Sequence, residues 1–256
     1  MSLFISHGSP TFALEPGPEG AALQAWAQAR PKPVAVCVVS PHWMTHGLEV
    51  GTTARPETIH DFGGFGPELE ALQYPAPGHP ALAQRGLALL AAAGAQPQAD
   101  AQRGLDHGAW VPLMHLYPEA DVPVFQVSLP ARIDGRNAFA LGRALAPLAE
   151  EGVLVIGSGS LTHNLRDIRA PGSPAAPYAQ AFVEQVTGLL AARDAAGLQA
   201  LWPDAPNARQ AHPTPDHWWP LLVALGAAGE GWQATPVGPG GMRFGTLSMA
   251  SWDFAR

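Results

Sequence analysis

The chain is short of charge and almost without thiols. Only 14% of its 256 residues are Asp, Glu, Lys or Arg, which is low for a soluble surface. Net charge is −7 and no basic run occurs, so the electrostatic footprint of a nucleic-acid binder is missing. The single cysteine, Cys37 in "VAVCVVS", can form no internal disulfide. Its setting is that of a small buried strand residue, not the open electropositive site of a catalytic thiol. No apolar stretch reaches the roughly 18 to 20 residues needed to span a bilayer. The opening "MSLFISHG" has neither a charged leader nor a small-residue cleavage site, a pattern that predicts a cytoplasmic protein. His-Glu-x-x-His, paired cysteines and a Walker loop are lacking as well, which removes the commonest local metal and phosphate signatures. Nucleic-acid and membrane partners are not expected, and nothing in the sequence fixes an oligomeric state.

What remains is apolar and finely punctuated. Hydrophobic residues make up 47%, and 28 Gly and 27 Pro are spread between apolar runs rather than clustered, which reads as turn chemistry in a folded chain. The length allows one sizeable domain. Short β-rich runs at residues 3–6, 34–40, 48–53, 122–128, 154–157, 233–237 and 246–251 alternate with helical patterns. The helices are expected at 20–30, 80–93, 109–117, 135–150, 174–192 and 215–225. That alternation predicts a single α/β domain, a central mostly parallel or mixed sheet flanked by helices. Runs 34–40 and 122–128 are nearly continuous in apolar residues, as central strands covered on both faces would be. Residues 62–80 and 170–177 read as loops.

Histidine falls where chemistry is placed in such folds. "LFISHGSP", "VCVVSPH" and "VLVIGSGSLTH" each put an imidazole just beyond a strand, at His7, His42 and His163. Loops beyond the carboxyl ends of strands in open α/β sheets converge on one crevice. Three imidazoles there make a metal or acid/base site. "GLDHGAW" adds His107 ahead of a helix, and "AHPTPDHWWPLL" adds His217 near the first turn of another, held stiffly by two prolines. His60 lies in the loop "TIHDFGGF", which reads as a lid or substrate wall, and His212 could line the approach to His217. His46, His79 and His115 read as surface or turn residues. "GSGSL" lacks both dinucleotide spacing and the serine between outer glycines that a nucleophile elbow needs.

"HGSP", "SPHW", "IHDFGGF", "YPAPG", "GLDHGAW", "GSGSLTHN", "HPTPDHWWPLL" and "SMASW" occur in that order over almost the whole chain. Together they resemble the LigB-type (class III) extradiol ring-cleavage dioxygenases, in particular the 4,5-DOPA extradiol dioxygenase branch. The resemblance implies one divalent metal per chain, with Fe(II) expected for catalysis and zinc possible as the bound ion, and a reaction of a catechol with O2 that gives a semialdehyde. It implies His7, His42 and His217 as metal ligands. His163 would be an acid/base group that can also touch the metal, and His107 a group beside the substrate. His60, Phe62, Phe65, Trp43 and Trp110 are candidates for an aromatic pocket wall. Adjacent helical residues point about 100° apart, so Asp216 and His217 are not expected to share one ion. Two other readings use the same residues. A zinc hydrolase would need a carboxylate base from Asp61, Asp106 or Asp216, and a non-catalytic metal-binding protein could keep the scaffold alone.

Overall fold

The computed structural model describes residues 1–255. In chain order its strands and helices are β1 (Ser2–Ser6), α1 (Gly17–Gln28), β2 (Ala35–Thr45), β3 (Leu48–Gly51), α2 (Pro67–Glu70), α3 (Pro80–Ala92), β4 (Pro97–Asp100), α4 (His107–Leu116) and β5 (Val124–Pro130). There follow α5 (Gly135–Leu145), β6 (Val153–Gly159), α6 (Pro177–Ala191), α7 (Ala195–Asp204), α8 (Ala208–Ala211), α9 (Trp219–Ala228), β7 (Gln233–Val237), β8 (Met242–Arg243), β9 (Leu247–Ser248) and β10 (Ser251–Ala255).

Eight strands form one mixed sheet in the order β4-β3-β5-β2-β6-β1-β10-β7. Its centre, β5-β2-β6-β1, is parallel, and β10 and β7 add antiparallel strands at one side. Both faces are covered, and the strand period of two sorts the side chains between them. Leu3, Ile5, Val36, Val38, Leu154 and Ile156 pack with α1 and α4. Phe4, Cys37, Val39, Val153 and Val155 pack with α5, α6 and α9. Burial on both faces explains why these strands read as continuous apolar runs. The expected α/β class is the one observed.

Helix α9 is buried along its whole length, and it owes its position to glycine in β6. A Cβ on Gly157 would lie 1.9 Å from the Pro220 carbonyl oxygen, and one on Gly159 would lie 2.4 Å from that of His217. The Ser160 N–H donates to the same His217 carbonyl at 3.0 Å. The glycines of "GSGS" therefore serve close helix–sheet packing, and they bring the segment carrying His217 to the end of β6.

Several expected boundaries move. Strand β2 does not stop at Ser40 but runs through Pro41 and His42 to Thr45, with its register to β5 shifting between Val39 and Met44. The late helix begins at Trp219 rather than 215. Pro220, with its fixed φ, suits the first turn, and His217 sits in the turn before it. The strand expected at 246–251 is replaced by the short β9 and by β10 from Ser251. Thr246 and Ser248 are spent on Thr162 instead, whose hydroxyl donates to the Thr246 carbonyl and accepts the Ser248 N–H. Helix α5 ends at Leu145 and tightens into a 3-10 segment, Ala146–Glu151, around Pro147, which has no N–H to continue an α-helical ladder. Strand β4 and helices α7 and α8 were not expected. Strand β4 is a half-exposed edge with no apolar alternation to mark it. Among the described residues, no helix is long and apolar enough to cross a membrane.

Candidate metal centre

Strands β1, β2 and β6 run parallel side by side. This sets His7, just past β1, against His42, which lies within β2 rather than beyond it, and His163, past β6, against His217. The His7 N–H donates to the Gly159 carbonyl at 3.0 Å, which ties the end of β1 to the end of β6. His107 arrives as the first residue of α4, and His217 from the turn before α9. His7, His107 and His217 are buried, while His42 and His163 are half-buried.

Hydrogen bonds fix the tautomers of these rings. The Ser158 hydroxyl donates its one proton to the Gly108 carbonyl, so it can only accept from His7 Nδ1, 2.9 Å away. Carboxylates accept only. Asp61 Oδ1 lies 3.0 Å from His107 Nδ1, its Oδ2 lies 3.4 Å from His42 Nδ1, and Asp216 Oδ2 lies 2.5 Å from His217 Nδ1. Ser158, Asp61 and Asp216 thus fix a proton on Nδ1 of His7, His107 and His217, turning their Nε2 atoms inward, while His42 Nδ1 stands at ion-pair distance from Asp61. Four other histidines do the reverse. His60, His115 and His212 donate from Nε2 to the carbonyls of Leu72, Phe12 and Leu161, and His79 Nδ1 accepts the Leu82 N–H.

The inward nitrogens converge. His7 Nε2 and His42 Nε2 are 3.2 Å apart, a distance that requires a proton on one of them or a cation between them. His217 Nε2 is buried with no partner, a costly arrangement for a polar atom. Ring centroids of His7, His42 and His217 form a nearly equilateral triangle with sides of 5.1, 5.3 and 5.1 Å. Imidazoles sharing one ion through bonds of about 2.1 Å keep their centroids roughly 5 Å apart, so this trio fits a metal. His107 also lies close enough to His7 and His42 to form a ligand cluster, and His163, Asp216 and His217 form another. The His42 and His107 rings, however, are only 3.9 Å apart, crowded for two ligands of one ion. Asp216 spends its oxygen on His217 Nδ1.

Electrostatics keep the rings neutral. Burial, then the neighbouring imidazoles, hold His7 and His217 well below the ordinary histidine value. Burial also pulls His42 down to about 4, with His107 adding to it and Asp106 and Asp61 opposing. His163 falls to about 4, chiefly by burial and against the pull of Asp216. Burial raises Asp61, but hydrogen bonds and charge from His107 outweigh it and bring the carboxyl to about 2. Neutral imidazoles are the form that binds metal.

Around the rings the aromatic residues separate into two groups. Phe62 stands edge-on to His107 at 5.6 Å and meets His60 at 5.7 Å and Phe65 at 5.6 Å. Phe65 is 43% exposed on its glycine-flanked loop. Trp110 is fully buried behind His60 and Phe62 and donates its indole N–H to the Ile59 carbonyl. Trp43 packs beneath the Arg103 guanidinium, 4.9 Å from its ring centre. His115 is a half-buried residue of α4 held to Phe12, not a surface or turn residue. His212 is fully buried and bonds the loop ahead of His163 rather than lining an approach.

The sequence offers Asp61, Asp106 and Asp216 as residues that could orient a ligand histidine. Asp61 and Asp216 do bond histidines, but the partners of Asp106 are not readable from it. Asp106 is wholly buried and accepts from Ser40, Arg103 and Gln126, and Arg103 also reaches the His42 carbonyl. Only the charge of Arg103 beside "LDH" hinted at this network.

Residues 2–239 match the family described as the catalytic LigB subunit of aromatic ring-opening dioxygenase. The chain belongs to the LigB family. Among its relatives, 4,5-DOPA dioxygenase extradiol of Beta vulgaris is 44% identical over 90% of this chain and 87% of its own. The protein of the same name from Escherichia coli (strain K12) is 39% identical over 98% of this chain and 93% of its own. The crystal structure of an uncharacterized protein, JW3007, from Escherichia coli K12 superposes with a TM-score of 0.82 at 33% identity, covering 100% of this chain and 99% of that one. As a LigB-family protein the chain is an extradiol-type, metal-dependent aromatic ring-opening dioxygenase, an oxidoreductase.

Proposed function

We propose that this enzyme opens the ring of a DOPA-like catechol with O2 to give a semialdehyde, at one divalent metal held by His7, His42 and His217. The observation that carries the ligand assignment is the nearly equilateral triangle of the three rings, with His217 Nε2 buried and without a partner. Fe(II) is the proposed working ion, since imidazole donors suit iron as well as zinc. When bound, it supplies the redox and Lewis-acid chemistry through which a catechol reacts with O2.

The chain's own residues do the rest. His163 lies flat against His217 with planes 6° apart. Lone pairs in parallel planes do not meet at one ion, so this pose supports a base rather than a fourth ligand. Its low pKa leaves it neutral at pH 7 and able to take a proton from the catechol hydroxyl. His107 offers a bare Nε2 to a substrate oxygen. Phe62 and Phe65, with His60 behind them, are the proposed wall for the planar ring. Of the candidate pocket residues, Trp110 and Trp43 are packed as supports for that wall and for β2.

The hydrolase alternative needs a free carboxylate. Asp61, Asp106 and Asp216 are each committed, to His107 and His42, to Arg103, and to His217. The deciding experiment is O2 uptake by anaerobically Fe(II)-loaded protein given L-DOPA, with zinc-loaded protein alongside. Uptake matched by a new visible-absorbing product, with iron only, is expected. No uptake with DOPA or a panel of catechols sinks the reading.

A further inference from the structure

The loop carrying Asp61 is fastened with unusual care for a stretch between short elements. Residues 57–59 pair with 104–105: the Leu105 N–H donates to the Glu57 carbonyl at 2.7 Å and the Ile59 N–H to the Leu105 carbonyl at 2.8 Å. The approach is so close that a Cβ on Gly104 would stand 2.3 Å from the Glu57 oxygen. Buried Trp110 holds the Ile59 carbonyl as well. Two residues on, Asp61 reaches the first turn of α4 and accepts the His107 N–H at 2.9 Å. The residue that ordinarily caps that helix, Asp106, makes no side-chain cap. Its oxygens are taken by Ser40, Arg103 and Gln126.

We propose that Asp61 is a positioning residue for two imidazoles at once, hydrogen-bonded to the substrate-side His107 through Oδ1 and facing Nδ1 of the ligand His42 with Oδ2 at 3.4 Å, so that both turn Nε2 toward one reaction space. It rests on the ligand assignment made above. One carboxylate can do this because the two rings lie 3.9 Å apart and share its side of the site. A rigid Asp61 with three donors around it has its orientation decided by the backbone N–H, which neither ring can move. The two Nδ1–H groups then have fixed acceptors, and neither ring can flip to point Nδ1 inward without stranding a proton donor. The carboxylate also stands at the amino end of α4, where negative charge is favoured.

Asp61→Asn preserves the shape but not the double acceptor. Its single amide oxygen can take one Nδ1–H, and its NH2 faces the other ring with a donor, forcing that ring into the opposite tautomer with a proton on Nε2. The test has two parts. The first is 15N NMR of the metal-free wild-type protein, which reads the tautomer of each histidine directly. Nδ1–H at both His42 and His107 is expected, and Nε2–H at either overturns the proposal without any variant being made. The second is D61N, checked as folded by circular dichroism, in chelator-competition titrations with Fe(II) and Zn(II) and in turnover at saturating Fe(II). Loss of an outer partner of a metal ligand weakens affinity or activity roughly 10- to 100-fold. Expected are metal affinity weaker by at least about tenfold and kcat at metal saturation lower by a similar factor, with one ring switched to Nε2–H. Wild-type values of either quantity in folded D61N overturn the double role, and a lower melting temperature alone reduces Asp61 to a helix cap. If the wild-type protein binds no metal and turns over no catechol, the ligand assignment fails instead, and the tautomer measurement still decides the role of Asp61.

Discussion

His163 and His217 are stacked face to face, with ring centroids 3.4 Å apart and planes inclined by 6°. Only His217 of the two has a carboxylate on Nδ1 and an unpartnered buried Nε2. In the proposed division of labour His217 is the metal ligand of the pair and His163 the base.

His163→Ala should keep the metal and lose the chemistry. Removing a general base costs about 10²- to 10⁴-fold in rate, while metal affinity should stay within a few-fold of wild type. Metal analysis after gel filtration and O2 uptake on the same preparation read the two quantities. Loss of metal in step with activity would make His163 a fourth ligand.

Ser158→Ala removes the acceptor that fixes His7 and leaves the Gly108 carbonyl without its donor. The hydroxyl does not touch substrate, so the effect should appear as metal binding weaker by about tenfold or more. Turnover should recover when the metal is raised. A chelator titration that gives wild-type affinity would show that the neighbouring chain holds His7 without help.

The metal-free protein should lose stability on mild acidification. His42 and His163 titrate at about 4 in the folded state, and His7 and His217 also lie below their ordinary 6.5. Unfolded imidazoles titrate near 6.5. Between those values the unfolded chain binds more protons, so stability rises with pH. It is complete above about pH 6.5 and declines as pH falls toward 4, by several kcal/mol in all if the four groups contribute together. Asp61, held at about 2, adds a separate loss only below about pH 4. Calorimetry from pH 7.5 to 4.5 reads the first window directly. A melting temperature flat across it would mean the rings are not desolvated as described.

The meeting of strand-end histidines was legible because topology alone decides it. His7 and His163 follow β1 and β6, His42 lies in the last residues of β2 beside them, and adjacent parallel strands end on the same side. The alternation of Leu3 and Ile5 against Phe4, or of Val36 and Val38 against Cys37 and Val39, likewise assigns faces from a period of two. The carboxylates Asp61, Asp106 and Asp216 were legible as supports for histidines, but which ring each serves was not, and Ser158 was not legible at all. Ser158 lies 151 residues from His7 and Asp61 lies 46 from His107, and no local pattern links such partners. The helix start at Trp219 was misread because Pro215 and Pro220 both suit a first turn, and only packing against Gly157 and Gly159 selects the second. Helix α7, with Pro203 near its end, and the polar edge strand β4 lack the periodicity that marks an element.

Gly157→Ala tests that packing and its link to the site. The new Cβ would meet the Pro220 carbonyl oxygen at 1.9 Å, a backbone atom of a helix buried on all sides, so no side chain can swing away. Overpacking a tight core costs about 1–3 kcal/mol, occasionally more, and the upper end is expected here. Relief must come from moving α9 off the sheet, which pulls on the His217 carbonyl bonded to the Ser160 N–H. The His217 ring is carried with it, and the triangle of rings opens. Urea denaturation of the metal-free variant should show the stability loss, and chelator competition a matching fall in metal affinity. A variant that is destabilised yet binds metal normally would mean that Pro215, Asp216 and the turn before α9 hold His217 independently of the helix.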